Sequence, residues 1–133
     1  KSIVKWFEET LIYFESNAFL KIYLDFPRDD LILKINKRVD KMFNNGAIKE
    51  VKKFNKLKVK RDYSPNKVIG IKEITNLIKG KSNLQQTKEQ ISIKTRQYAK
   101  RQSTWYRGHM QSWQRIELKN IKLSLNKFLN INY

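Results

Sequence analysis

Apolar residues three or four apart recur along most of the chain, and one segment departs from that spacing. Ile3, Val4, Phe7, Leu11 and Phe14 mark an amphipathic helix at the start. Phe19-Leu20-Lys21-Ile22-Tyr23-Leu24-Asp25-Phe26 is short, aromatic-rich and closed by Pro27, and it predicts a strand over about 19–26. One strand leaves its backbone groups without partners, so either the segment is no strand or its sheet lies outside this chain. After Pro27, Asp29 and Asp30 place negative charge in the first turn of a helix, where it suits the macrodipole. Leu31, Ile35, Val39, Met42 and Phe43 form its inward face, up to a stop at Asn45-Gly46.

A second helix turns Ile48, Val51, Phe54 and Leu57 inward, and residues 58–66 read as an exposed basic loop. Val68, Ile71, Ile74, Leu77 and Ile78 define a short helix ending at Gly80. The longest helix runs from about Asn83 to Arg107. Leu84, Thr87, Ile91, Thr95, Tyr98, Gln102 and Trp105 make its seam, which assigns Tyr98 and Trp105 to the core. A last helix buries Leu118, Ile121, Leu125, Phe128 and Leu129. The expected fold is mainly α with one strand, and no linker divides it.

Length and composition narrow the function. With 133 residues, 40% of them hydrophobic, the chain suits one folded domain. Cysteine is absent and His109 is the single histidine, which excludes thiolate metal sites, a cysteine nucleophile and His-based triads. No apolar run approaches the ~20 residues of a membrane span, so a cytoplasmic protein is expected. The net charge is +17, and it is unevenly placed. Residues 1–50 carry nine basic and eight acidic side chains, whereas residues 51–133 carry twenty and four. A polyanion facing the later residues would explain that asymmetry. Because 22 of the 29 cations are Lys, a Lys-rich background accounts for some of it.

The densest chemistry lies between Lys94 and Arg115. Four of the seven Arg fall there, with Tyr98, Trp105, Tyr106 and Trp113 interleaved and no acidic residue. Arg forks hold phosphates, and aromatic faces stack on unpaired bases. Gly80-Lys81-Ser82 resembles the end of a P-loop, but Thr75 stands where the pattern needs Gly, and a helix precedes it. A helix C-cap is the better reading. Gly70, near the start of its helix, costs about 1 kcal/mol of propensity, which implies close approach by a backbone or a phosphate, or tight helix packing. Arg38 precedes Val39 on the helix edge; taken alone it is a solvated residue, with Asp40 free to pair with Lys37 or Lys41. No carboxylates stand at catalytic spacing.

Several of these segments resemble one family, the tRNA dimethylallyltransferases (tRNA isopentenyltransferases). Thr95-Arg96-Gln97-Tyr98-Ala99-Lys100-Arg101-Gln102-Ser103-Thr104-Trp105-Tyr106-Arg107 resembles the family signature T-R-x-x-A-K-R-Q-x-T-W-x-R without a break. Arg38-Val39-Asp40-x-Met42, followed by Gly46-x-x-x-Glu50-Val51, is similar to its R-[VIF]-x-x-M…G…E-V helix pair. Ile69-Gly70-x-Lys72-Glu73 looks like its I-G-Y-[KR]-E element, with Ile71 in place of the usual aromatic. The similarity spans about residues 19–113.

The resemblance implies transfer of a dimethylallyl group from dimethylallyl diphosphate to the exocyclic amine of the adenosine beside a tRNA anticodon. In that family a P-loop half binds the diphosphate with Mg²⁺ and supplies a general-base Asp, and neither motif stands in this sequence. The chain then reads as the C-terminal part of a P-loop α/β enzyme, inactive without that half. Residues 1–17 would be the tail of a helical tRNA-gripping insertion, and residues 18–133 the last strand of the core sheet and the helices after it. By position, the resemblance assigns Arg38 to the diphosphate. It assigns Lys67, Gly70, Lys72, Arg96, Lys100, Arg101, Gln102, Thr104, Trp105 and Arg107 to the tRNA anticodon stem-loop. The expected form is a monomer working with the P-loop half. Two other classes compete: a stand-alone basic helical RNA-binding module, and, more weakly, a basic amphipathic membrane binder.

Overall fold

The computed structural model describes residues 2–10, 15, 18–60, 62–117 and 120–129, without the side chains of residues 7 and 127–129. Its elements are α1 (Ile3–Glu9), β1 (Ile22–Asp25), α2 (Arg28–Asn44), α3 (Ala47–Lys56), α4 (Ile71–Ile78), α5 (Leu84–His109), β2 (Gln114–Glu117) and α6 (Ile121–Leu129). A 3-10 turn at Ser64–Lys67 leads into α4. Two compact units result, one from residues 1–25 with 112–133, the other from residues 26–111.

In the first unit the strand is shorter than expected, and it has a partner within the chain. β1 pairs in parallel with β2, from Ile22 opposite Gln114 to Asp25 opposite Glu117. The Gln114 amide donates to the Lys21 carbonyl at 2.8 Å, and Arg115 forms an ion pair with Asp25. A parallel pair cannot close through a tight turn, so residues 26–111 form the connection. Ile116 is the buried residue of β2, and α6 packs on that strand. In α1, Ile3, Val4 and Trp6 are exposed, so that helix has no buried apolar face among them. Leu11, Phe14, Leu118 and Arg61 lie outside the described residues.

The second unit is a helical layer around Val39, Ala47, Val51, Ile74 and Ile91, all buried. Val39, Val51, Ile74 and Ile91 are at predicted positions, whereas Ala47, which opens α3, is not among the residues read as inward. Leu57 and Val68 are corrections: both are exposed, because each caps a helix instead of lying within one. Asp40 pairs with Lys88 across to α5 at 2.7 Å, and not with its helix neighbours.

Gly70 is the residue preceding α4, not part of it. Its φ of +109° is a conformation that side chains rarely adopt, which answers why glycine stands there. Gly80, at φ +69°, ends the same helix in a Schellman motif. There the Gly80 amide donates to Leu77 at 3.0 Å and the Lys81 amide to Asn76 at 2.9 Å. The P-loop-like tripeptide is therefore a helix stop. Asn83 then opens α5 through a reciprocal box with Gln86, at 2.8 and 3.0 Å.

Candidate nucleic-acid interface

The 26-residue α5 is about 39 Å long, and α2 and α4 pack against it. Its first half carries the buried Thr87, Ile91 and Ser92, while Tyr98 and Trp105 are 50% and 51% exposed. Assigning those two aromatics to the core was wrong, and helix geometry explains it. Ile91, Tyr98 and Trp105 are spaced by sevens, and a straight helix drifts about 20° per heptad. The half-buried line continues instead through Thr95, Ala99 and Tyr106. Tyr98 and Trp105 are rotated off it into solvent.

What they form there is a built surface. Arg101, Gln102, Trp105 and Tyr106 line an open recess of about 450 Å³. Three- and four-residue steps put Tyr98, Arg101, Gln102, Trp105 and His109 along one stripe of the helix. The His109 ring stacks on the Trp105 indole, with centroids 4.6 Å apart and planes within 12°. Its Nδ1 lies 2.9 Å from the Trp105 carbonyl oxygen, which holds the ring in place. Tyr106 meets the indole edge-on at 5.6 Å, and the Arg101 guanidinium lies 5.7 Å over the Tyr98 ring. His109 covers one indole face, and Trp105 as a whole remains half exposed.

The other residues singled out from the sequence fall into three places. Arg96, Lys100 and Arg107 lie by their spacing on the side of α5 opposite Trp105. Lys100 and Arg107 are exposed, and Arg96 is half-buried. Arg107 Nε donates to the Ser103 carbonyl at 3.3 Å, and Thr104 Oγ1 to the Lys100 carbonyl at 3.0 Å. Lys67 and Lys72 are exposed beside the start of α4, whereas Gly70 is buried. The Gly70 amide donates to Glu73 at 2.9 Å, so it is already engaged. Arg38 is exposed on α2.

Glu73 escaped the sequence reading as a site residue, although an acidic residue three positions after Gly70 is a helix-start signal. It is 3% exposed and forms an ion pair with Lys94 of α5. Burial raises the carboxyl pKa. The hydrogen bond from Lys94, the backbone amides of Glu73 and Gly70, and the Lys94 charge together outweigh it, leaving the pKa below its ordinary value. This pair ties the start of α4, and with it Lys72, to α5. Among the described residues no group of three or more His, Cys, Asp and Glu could hold a metal ion.

Residues 1–109 match the family model described as IPP transferase. The chain belongs to that family. A tRNA dimethylallyltransferase of Pelagibacter ubique is 52% identical over 122 residues, covering 92% of this chain and 38% of that protein. One from Fusobacterium nucleatum is 45% identical over 90 residues, covering 68% and 29%. Among solved IPP transferases, the full-length tRNA isopentenylpyrophosphate transferase of Bacillus halodurans superposes with a TM-score of 0.70 at 29% identity, over 84% of this chain and 38% of that one. The Staphylococcus epidermidis tRNA isopentenylpyrophosphate transferase gives 0.67 at 32% identity, over 81% and 38%. The chain thus spans 38% of the length of the Pelagibacter IPP transferase it matches.

Proposed function

We propose that this chain is the tRNA-gripping, C-terminal part of a tRNA dimethylallyltransferase, acting with a P-loop half in the cytoplasm. The observation that carries the reading is the solvent-facing stripe of α5, where Tyr98, Arg101, Gln102 and Trp105 stand together without an acidic neighbour. Guanidinium forks suit the phosphates of an anticodon loop, and the half-exposed indole suits a base turned out of its stack. In the reaction, the adenosine amine attacks the first carbon of dimethylallyl diphosphate. The carbon–oxygen bond breaks, diphosphate leaves with the electron pair, and the amine proton passes to a base in the P-loop half. In this reading the exposed Arg38 meets the leaving diphosphate, whose growing charge a guanidinium stabilises. The α5 side chains bind and orient RNA, and Mg²⁺ belongs with the P-loop half.

Mixing the chain with a P-loop half, tRNA and dimethylallyl diphosphate is expected to yield modified tRNA. No transfer, under conditions where an intact relative works, overturns the reading. The self-contained core of residues 26–111 favours one other reading, a stand-alone RNA-binding module. A Gly-x-x-x-x-Gly-Lys-Ser/Thr run encoded in frame upstream of Lys1 would remove it.

Replacing Trp105 by Ala separates the surface role from a packing role. Because the indole is half exposed, the melting free energy should change by no more than about 0.5 kcal/mol. Affinity for an anticodon stem-loop should fall by about 1–3 kcal/mol, the worth of one stacked base. A large drop in melting temperature would return Trp105 to the core.

A further inference from the structure

Helix α3 carries a second cationic surface, different in kind from that of α5. Lys49, Lys52, Lys53 and Lys56 are all exposed, and none has an ion-pair partner among the described residues. At 100° per residue the four fall within an arc of about 100°. The buried Ala47 and Val51 and the half-buried Phe54 fall on the opposite arc, against α2 and α4. The lysines thus form one outward stripe about 10 Å long.

A Lys-rich background does not produce this arrangement. The neighbouring α2 carries three Lys and two Arg in 17 residues and intersperses Asp29, Asp30 and Asp40 with them, whereas α3 carries four Lys in ten residues with only Glu50. Helix electrostatics favour Lys53 and Lys56, which lie in the last turn. They disfavour Lys49, which sits in the first turn beside the positive end of the helix. That placement costs about 0.3–1 kcal/mol, which an anion bound beside Lys49 would offset.

The stripe bears no aromatic ring, since Phe54 is turned toward the core. It can therefore hold phosphates but has no face on which to stack a base. Its apolar fringe is also too narrow for a membrane-binding helix. We infer that the Lys49–Lys56 face of α3 binds the phosphate backbone of a double-stranded RNA stem. This inference rests on the RNA-binding reading of α5. The division of labour is then chemical: α5, with Arg and aromatics, meets unpaired nucleotides, and α3, with Lys alone, meets a duplex.

The test uses the full chain and two RNA probes, a stem-loop with a stem of several base pairs and a single-stranded oligonucleotide of the loop sequence. Changing Lys49, Lys52, Lys53 and Lys56 together to Gln should weaken stem-loop binding at least tenfold at 0.1 M salt. It should also lower the magnitude of the salt slope by about 3, while leaving the single strand within about twofold. Changing Lys37, Lys41, Lys79 and Lys81 to Gln removes the same charge elsewhere and should cost much less. Four Lys→Arg changes on the stripe should retain binding, which separates lost contact from lost folding. Equal losses in the stripe and control variants would overturn the inference in favour of a diffuse field. So would equal losses on the two probes, or a preference for anionic vesicles over the stem. If Arg101→Ala with Arg107→Ala abolishes binding and the stripe variant does not, the stripe alone fails. If neither has an effect, the RNA reading itself fails.

Discussion

Replacing Glu73 by Ala should destabilise the fold by about 2–4 kcal/mol at neutral pH. The carboxylate is buried and is the acceptor for the Gly70 amide, which would be left without a partner at a buried position. Lys94 contributes less to the loss, because its side chain is 47% exposed and can turn to water. The pH dependence has a definite sign. The pKa of Glu73 is lowered in the folded state, so its contribution is present above the ordinary glutamate pKa and is lost as pH falls through the lowered value. Glu73→Gln keeps an acceptor for Gly70 but removes the charge. Denaturant melts of wild type and Glu73→Gln should therefore differ at pH 7 and converge only as pH falls from the ordinary glutamate pKa through the lowered folded-state value. A constant difference across that range would mean that the ion pair with Lys94 contributes nothing. RNA affinity should fall in step with stability, because the same pair holds Lys72 beside α5.

The second large effect is on binding alone. Changing Arg101 and Arg107 together to Ala should weaken anticodon stem-loop binding about 100-fold and lower the magnitude of its salt slope by about 1.5, from two single-strand phosphate contacts. The melting temperature should hold, because both side chains are exposed. Arg→Lys changes at the two positions should restore the slope but only part of the affinity, since Lys keeps the charge and loses the fork. An unaltered slope would place these groups away from phosphates.

The helices of residues 26–111 were legible because their apolar spacing and punctuation agree. Pro27 with Asp29 and Asp30, Asn45-Gly46 and Gly80 fall where α2 begins and where α2 and α4 stop. β2 was not legible, since Gln114-Arg115-Ile116-Glu117 offers one apolar residue, and only pairing with β1 makes it a strand. Arg101 and Gln102 stood out through composition and motif. The fate of Trp105 depended on how far α2 and α4 reach along α5, which spacing within one helix does not encode. Glu73 with Lys94 and Asp40 with Lys88 join residues 21 and 48 positions apart, so local pattern could not pair them.

The parallel pairing of β1 with β2 also sets a timetable for synthesis. Asp25 and its partner Arg115 are 90 positions apart, so β1 leaves the ribosome long before its neighbour exists. At 5–20 residues per second the gap is on the order of 5–20 s. During that interval the edge of Ile22–Asp25 that later pairs with β2 is open to other nascent chains. Slowing translation between β1 and β2 should raise aggregation, and a permuted gene that makes the two strands in close succession should lower it.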